Sequence, residues 1–205
     1  MGSFRAASLD TEIRAGAARM CSLALSALTL IGGELAFNRC EAGDDTKIPL
    51  TPVSIGVRYG TNAATDKAGA LDRLDVFWSW RTPFAWEFSR GWDVGARLNA
   101  SLGALHGQGE TGGVATLVPT LAIGDTGNVF SFEAGVGAAL FSKWEFGTTE
   151  DFGGPMQFIL DLGVNFRVYK HLGIGYRFQH WSDGGIHGSD NRGVEMHMLE
   201  FSYRY

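Results

Sequence analysis

The sequence predicts an all-β protein, an eight-stranded antiparallel up-and-down transmembrane β-barrel. Three features of the chain lead to this prediction. From Val53 onward, bulky apolar residues alternate with small or polar ones in eight successive segments, which is the period of a β-strand. The chain holds 29 glycines, 12% aromatic and only 19% charged residues, a composition that favours strands and turns. Eight strands can close into a barrel without exposed edges, and an even number is typical of bacterial outer-membrane barrels.

The N-terminal region has the charge order of a secretory signal. Arg14 and Arg19 precede an apolar run over residues 20–31, and this order is typical of exported proteins. The run is too short to cross a bilayer as a helix, and a buried core helix is the alternative interpretation. We predict that residues 1–40 hold a signal peptide and N-terminal extension and that residues 41–205 form an outer-membrane β-barrel domain.

Charge and cysteine content exclude several other classes of protein. The net charge of -5 argues against nucleic acid as a partner, because binding to phosphates requires a basic excess. Cys21 and Cys40 are the only cysteines and precede the strands, so a disulfide framework is not expected. The sequence leaves open whether translation starts at Met1 or Met20.

The alternation of apolar and polar residues predicts where each of the eight strands lies in the sequence. The fourth has the weakest pattern because its two faces differ little and Pro119 lacks a backbone donor. The last ends on Tyr203 and Tyr205, as expected for aromatic residues at a membrane interface. The predicted strands cover residues 53–59, 74–81, 93–102, 115–123, 130–140, 157–168, 172–179 and 199–205.

The two faces of these strands differ in a way that indicates which one meets lipid. One face carries nearly all the bulky apolar side chains, whereas the other mixes glycine with arginine and acidic residues and almost no lysine. Such a mixture suits a narrow lumen where charges pair, and a solvated face usually carries abundant lysine. We therefore predict that the apolar face contacts the membrane. A secreted soluble barrel with an apolar ligand inside is a weaker alternative.

This alternation also brings polar residues onto the predicted lipid face near one end of the barrel. The seventh strand continues through His180 and Ser182, which share the face of its apolar residues, and Glu195 and His197 share the apolar face of the last strand. If the hairpin pairs His180 with Glu195, Ser182 lies opposite Gly193. A serine, a histidine and a carboxylate then converge as nucleophile, base and orienting acid would.

Two other interpretations of these residues stay open. They can be the polar ends of two strands where these leave the bilayer, since charge near the interface costs only about 0–1 kcal/mol. On the residues alone this is the simpler interpretation. A metal site is the other, although the ligand spacings match no known pattern. Its members would be His180, Asp183, His187, Asp190 and His197.

Two segments at these positions resemble a known family. His180-Trp181-Ser182-Asp183 and Asn191-Arg192-Gly193-Val194-Glu195 resemble the lipid A 3-O-deacylase (PagL) family of outer-membrane enzymes, which carry His-x-Ser-Asn and Asn-x-Gly-hydrophobic-Glu on their last two strands. Residues 132–142 are similar to that family's fifth strand. The resemblance implies that Ser182 is the nucleophile, His180 the base and Glu195 the orienting acid of a triad on the outer wall.

The same resemblance implies a substrate and an orientation. The substrate would be the ester-linked acyl chain at the 3 position of lipid A, within lipopolysaccharide, and the reaction would need no cofactor. With both termini in the periplasm, the end of the seventh strand near Ser182 would reach the outer leaflet. A non-catalytic barrel with a lipid-binding or structural role is the alternative function. Whether two barrels associate as a homodimer is left open.

The chain departs from the family pattern at two points. Asp183 replaces an asparagine thought to stabilise the oxyanion, and an ionised carboxylate cannot donate a hydrogen bond. Backbone N–H groups of Asp183, Gly184 or Gly185 could serve instead, or Asp183 could be protonated. The loop before Glu195 is one residue longer than expected, which leaves the register of this residue open.

Overall fold

The fold is taken from a computed structural model. It describes residues 50–62, 70–88, 91–125, 127, 129–148, 150–186 and 193–205. The signal peptide predicted within residues 1–40 lies outside this part of the chain. Among the described residues, no helix has the length and apolar character needed to cross a membrane.

The described residues form a closed antiparallel barrel of eight strands and a separate two-stranded hairpin. Around the barrel the strands follow the order β1-β10-β9-β8-β5-β4-β3-β2, while β6 pairs with β7. This confirms the predicted fold class. The strands are β1 (Thr51–Asn62), β2 (Leu71–Phe88), β3 (Trp92–Gly107), β4 (Glu110–Asp125), β5 (Phe130–Phe141), β6 (Glu145–Phe146), β7 (Glu150–Asp151), β8 (Met156–Tyr169), β9 (Leu172–Ser182) and β10 (Val194–Arg204).

Several strands are longer than the sequence pattern indicated. The fourth predicted strand, residues 115–123, is the middle of β4, and Pro119 is an exposed residue within it. The alternation fades towards the end of the barrel that holds Leu105 and Val114, because the inward side chains there are apolar as well. Two of the strands, β6 and β7, were not predicted because two residues are too few to show a period.

The outer wall of the barrel is apolar, as the sequence predicted. The side chains of Val136 and Leu102 are 62% and 59% exposed. Large apolar residues on the other strands of the barrel are exposed as well. An aqueous protein rarely exposes a continuous apolar surface of this extent. The wall is therefore the surface that contacts lipid.

The middle of the lumen is filled by paired charges. The guanidinium of Arg177 contacts three carboxylates: Nε lies 2.6 Å from Glu200 Oε1, Nη1 2.5 Å from Asp161 Oδ1 and Nη2 2.9 Å from Glu133 Oε2. Arg97 Nη1 lies 2.5 Å from the other oxygen of Glu133. Because these charges are buried, each needs its partner, and the network therefore fixes the strands relative to one another.

One end of the lumen is apolar, which the sequence did not predict. Around Trp181, the side chains of residues from several strands form a buried cluster. Phe152 in the segment after β7 stacks on Phe141 with ring centroids 5.1 Å apart, and Phe146 of β6 is part of the same cluster. The β6–β7 hairpin thus packs on the barrel end at which β9 finishes and β10 begins.

Candidate active site

The end of β9 is held from inside the barrel by Trp181. Its side chain is 1% exposed, its indole N–H donates to Gln179 Oε1 at 3.1 Å, and its ring lies 5.3 Å from that of Phe141. Successive side chains of a strand point to opposite faces. Burial of Trp181 therefore directs its neighbours, His180 and Ser182, onto the outer wall, where both are partly exposed.

His180 and Glu195 are direct partners across the β9–β10 pair. The register of Glu195, which the sequence left open, is thus the one that sets it opposite His180. Nδ1 of His180 lies 4.0 Å from Oε1 of Glu195, and the two side chains are 39% and 53% exposed. On β10, Val194 and Met196 are buried on either side of Glu195, so its carboxylate is directed outward in the same way.

Gly193 makes room for the imidazole of His180. A methyl group built on Gly193 would lie 2.6 Å from Cε1 and 2.8 Å from Nε2 of the ring. Gly193 precedes Val194, the partner of Trp181 in the β9–β10 ladder. The ring therefore turns its Nδ1 edge to Glu195 and its Nε2 edge towards the end of β9 that carries Ser182.

Ser182 shares the outer face but is not hydrogen-bonded to the imidazole. It pairs across the sheet with Phe158 of β8, and His180 pairs with Leu160. Both β8 side chains are large, apolar and exposed on the wall. Within the described part of the chain, the structure thus brings His180 and Glu195 together and places Ser182 two residues along the same face.

The turn after Ser182 carries the three predicted oxyanion donors. Gly184 and Gly185 have φ angles of +64° and +81°, which favour glycine. The buried carboxylate of Asp183 accepts the backbone N–H of Gly185 at 2.8 Å. The Gly185 amide is therefore already engaged. A methyl group on Gly184 would lie 3.2 Å from the ring of Phe158, so this turn packs against the residue beside Ser182.

The alternative of a metal site finds no support in the described residues. Among them, no three His, Cys, Asp or Glu side chains are arranged so that they could hold a metal ion, and His187 and Asp190 lie outside the described residues. His197 is hydrogen-bonded through Nδ1 to the hydroxyl of Tyr176 and packs on Phe178 with ring centroids 5.3 Å apart.

Three residues that support this site were not singled out from the sequence. Trp181 directs its neighbours outward, Gly193 makes room for the imidazole of His180, and Phe158 flanks Ser182. Trp181 and Gly193 are members of the two motif segments, and this was the only signal of them in the sequence. The role of Phe158 depends on which strands are neighbours, and no local pattern shows this.

An apolar wall around a polar lumen defines an integral membrane β-barrel, and a histidine and carboxylate beside a serine are side chains of the kind that ester hydrolases use. The family is given by comparison with known proteins. The model of the family described as lipid A 3-O-deacylase (PagL) matches residues 72–204. The chain therefore belongs to this family of outer-membrane ester hydrolases, as its two motif segments indicated.

The chain is also similar to two individual proteins. The lipid A deacylase PagL of Bordetella bronchiseptica (strain ATCC BAA-588 / NCTC 13252 / RB50) is 31% identical over 134 residues, which are 62% of this chain and 74% of that protein. The crystal structure of the outer membrane enzyme PagL has a TM-score of 0.58 at 21% identity and covers 73% of this chain and 98% of its own. The second comparison supports the fold.

Proposed function

We propose that this protein hydrolyses the ester-linked acyl chain at the 3 position of lipid A, with Ser182 as nucleophile, His180 as base and Glu195 as orienting acid. The observation that carries the proposal is the pairing of His180 with Glu195 on the outer wall, with Ser182 on the same face. Because this wall contacts lipid, the side chains meet a membrane-embedded ester by lateral diffusion.

The reaction would proceed through an acyl-enzyme. His180 Nε2 accepts the proton of the Ser182 hydroxyl as its oxygen attacks the ester carbonyl, and then returns it to the departing sugar hydroxyl. Water attacks the acyl-serine in the second half, again with the imidazole as base. Glu195 holds the Nδ1–H edge of the ring. Both side chains are partly exposed, so a small rotation can shorten their 4.0 Å separation when substrate binds.

Backbone amides of the turn after Ser182 would stabilise the oxyanion. The amide of Gly185 is engaged by the Asp183 carboxylate, which leaves the N–H groups of Asp183 and Gly184 as the preferred donors. In this arrangement the carboxylate of Asp183 shapes the turn and does not itself contact the oxyanion. Its negative charge lies in the turn next to Ser182. We expect this charge to make the reaction slower than it would be with the asparagine of the family pattern at this position.

The acyl chain would lie on the β8 side of Ser182. Phe158 and Leu160 are the cross-strand partners of Ser182 and His180 and are exposed on the wall. They form an apolar surface that begins at the nucleophile and continues down the barrel. The sugar would then lie at the Ser182 end. With both termini in the periplasm, this end reaches the outer leaflet, where lipopolysaccharide resides.

The test is incubation of purified, folded protein with lipid A, followed by mass spectrometry of the lipid. The wild-type chain should release one 3-O-linked acyl chain, and Ser182→Ala should release none above background. Thr61→Ala is the matched control, because Thr61 is a hydroxyl residue on the exposed face of β1 and pairs with His197. Retained activity in Ser182→Ala would refute the proposed nucleophile. A wild-type protein that binds lipid A without cleaving it would favour the non-catalytic role.

A further inference from the structure

The connection between β5 and β8 places two aromatic rings inside the barrel. Phe146 and Phe152 are 0% and 1% exposed, although neither belongs to the eight strands of the closed barrel. A methyl group on Gly112, a buried residue of β4, would lie 3.2 Å from the ring of Phe146, and Phe152 stacks on the buried ring of Phe141. Both rings therefore contact inward positions of barrel strands. We call Phe146 and Phe152 the plug, because they fill the lumen at the Ser182 end.

Hydrogen bonds fix the backbone that carries Phe152. Its N–H donates to the carbonyl of Trp144 at 2.9 Å, and its carbonyl accepts the side-chain amide of Gln157 at 2.5 Å. The N–H of Phe141 donates to the carbonyl of Pro155 at 2.8 Å. The connection is thus tied to β5 where it leaves the barrel and to β8 where it returns, so the ring of Phe152 has a defined place in the lumen.

This ring contacts Trp181, the residue between His180 and Ser182. The centroids of the Phe152 and Trp181 rings lie 6.2 Å apart at an interplanar angle of 69°, an edge-to-face contact. The guanidinium of Arg73 lies 5.0 Å from the centroid of the indole, a cation–π distance. The indole is therefore in contact with the plug and with the charged part of the lumen.

The side chain of Trp181 is important because the backbone gives Ser182 little support. The β9–β10 ladder ends at the pair of Trp181 and Val194. Within the described residues, Ser182 therefore has a cross-strand partner on β8 alone, namely Phe158. Strand ends with few backbone partners open most readily. Trp181 is the last inward side chain of β9, so the contacts of its ring restrain the end of this strand.

We infer that Phe152 is a positioning residue for the proposed reaction. Its ring holds Trp181 in place, and this sets the distance between the hydroxyl of Ser182 and the imidazole of His180. The inference rests on the proposed function, because the position of Trp181 matters to the rate only if its two neighbours react. A displacement of about 1 Å in such a pair can slow a reaction about 100-fold.

The position of Phe152 also determines which kinetic constant should change. The ring lies inside the lumen, whereas the proposed acyl-binding residues Phe158 and Leu160 are exposed on the outer wall. Phe152 therefore does not contact the substrate. Loss of its ring should lower kcat by misplacing the nucleophile relative to the base, and it should leave KM close to the wild-type value.

The first test is steady-state hydrolysis of lipid A by the purified full chain. Phe152→Ala should lower kcat about tenfold or more, with KM within about twofold of wild type. Phe152→Leu should retain more of the rate, because it leaves a smaller cavity. Phe77→Ala is the matched control and should keep kcat. It removes the same ring from a lumen position that is 4% exposed, where the ring lies under the guanidinium of Arg58 and outside the cluster around Trp181.

The second test separates positioning from a general loss of stability. A fluorophosphonate probe labels an activated serine when the serine oxygen bonds to phosphorus and fluoride leaves. The rate constant of labelling measures the activation of Ser182, and the final extent measures the fraction of folded protein. Phe152→Ala should be labelled about tenfold more slowly but to the full extent. A reduced extent at an unchanged rate constant would mean that Phe152 only stabilises the barrel, and this would overturn the inference.

The remaining outcomes distinguish this inference from the proposed function. If the wild-type chain is active and Phe152→Ala has the same kcat, the inference fails and the proposed function stands. A wild-type chain that is neither labelled nor active refutes both. If Phe152→Ala does not fold, Phe146→Ala replaces it, because the ring of Phe146 packs on Phe152 with centroids 6.1 Å apart. That variant should lower kcat about threefold, and an unchanged kcat counts against the inference.

Discussion

His180 on β9 and Glu195 on β10 are direct cross-strand partners, with the imidazole Nδ1 4.0 Å from the carboxylate Oε1. Their proximity is set by the register of two hydrogen-bonded strands, and register is fixed along a whole strand by which side chains are buried. Trp181, Val194 and Met196 point inward and supply that constraint. The pair is therefore independent of the conformation of the loop between the two strands.

Glu195→Gln should lower kcat about 100-fold or more while leaving the barrel folded. The amide keeps the shape of the side chain but no longer stabilises the imidazolium or selects its useful tautomer. The rate of fatty acid release by purified protein measures the effect. The control is Asp72→Asn on the outer face of β2, which should retain activity. The carboxylate of Asp72 accepts a hydrogen bond from the hydroxyl of Tyr59 at 3.0 Å. Equal rates for Glu195→Gln and wild type would remove Glu195 from the triad.

Gly193→Ala should reduce activity roughly 100-fold by displacing the imidazole. The new methyl group would lie 2.6 Å from Cε1 of His180, and the exposed ring can yield more readily than the strand can. Gly95→Ala is the matched control, since a methyl group there would be 3.6 Å from its nearest neighbour, an ordinary contact. Both variants should keep the gel mobility shift on heating that reports a folded barrel. An active Gly193→Ala would show that the ring position in the structure is not the catalytic one.

Phe158→Ala should raise KM for lipid A with little change in kcat. Its half-exposed ring flanks Ser182, and loss of this apolar contact with the acyl chain is worth about 1 kcal/mol, or roughly fivefold. Steady-state kinetics with lipid A of different acyl lengths measure the effect, which should be larger for longer chains. Val168→Ala, an exposed apolar residue near the other end of β8, should leave KM unchanged. A fall in kcat alone would contradict an acyl-binding role.

Arg177→Leu should destabilise the barrel by about 3–5 kcal/mol, because it removes the cation that contacts three buried carboxylates. Arg177 contacts Glu133, Asp161 and Glu200 inside the lumen. Urea unfolding in lipid vesicles, followed by tryptophan fluorescence, gives the change in unfolding free energy. Adding Asp161→Asn to this variant should recover part of the loss, since Asp161 has then lost the arginine that it contacts at 2.5 Å and the substitution removes its charge. Additive losses would mean that the lumen charges are stabilised independently of one another.

The fold was predictable because its pattern is local. Alternation of apolar and polar residues located eight strands, and the glycine-rich charged face identified the lumen before any pairing was known. The pattern failed where the physical contrast between the faces is lost. At the Ser182 end the lumen holds Leu105, Val114 and Phe141, so both sides of a strand are apolar and its end cannot be located by alternation.

The sequence by itself determined which residues share the outer wall, because parity along one strand is a property of the backbone and needs no partner. It thereby set His180, Ser182 and Glu195 on one face. Only the tertiary structure decided what lies beside them: that Phe158 flanks Ser182 and that the imidazole lies over Gly193. These contacts depend on strand register and barrel closure, which join residues distant in sequence and leave no periodic trace in it.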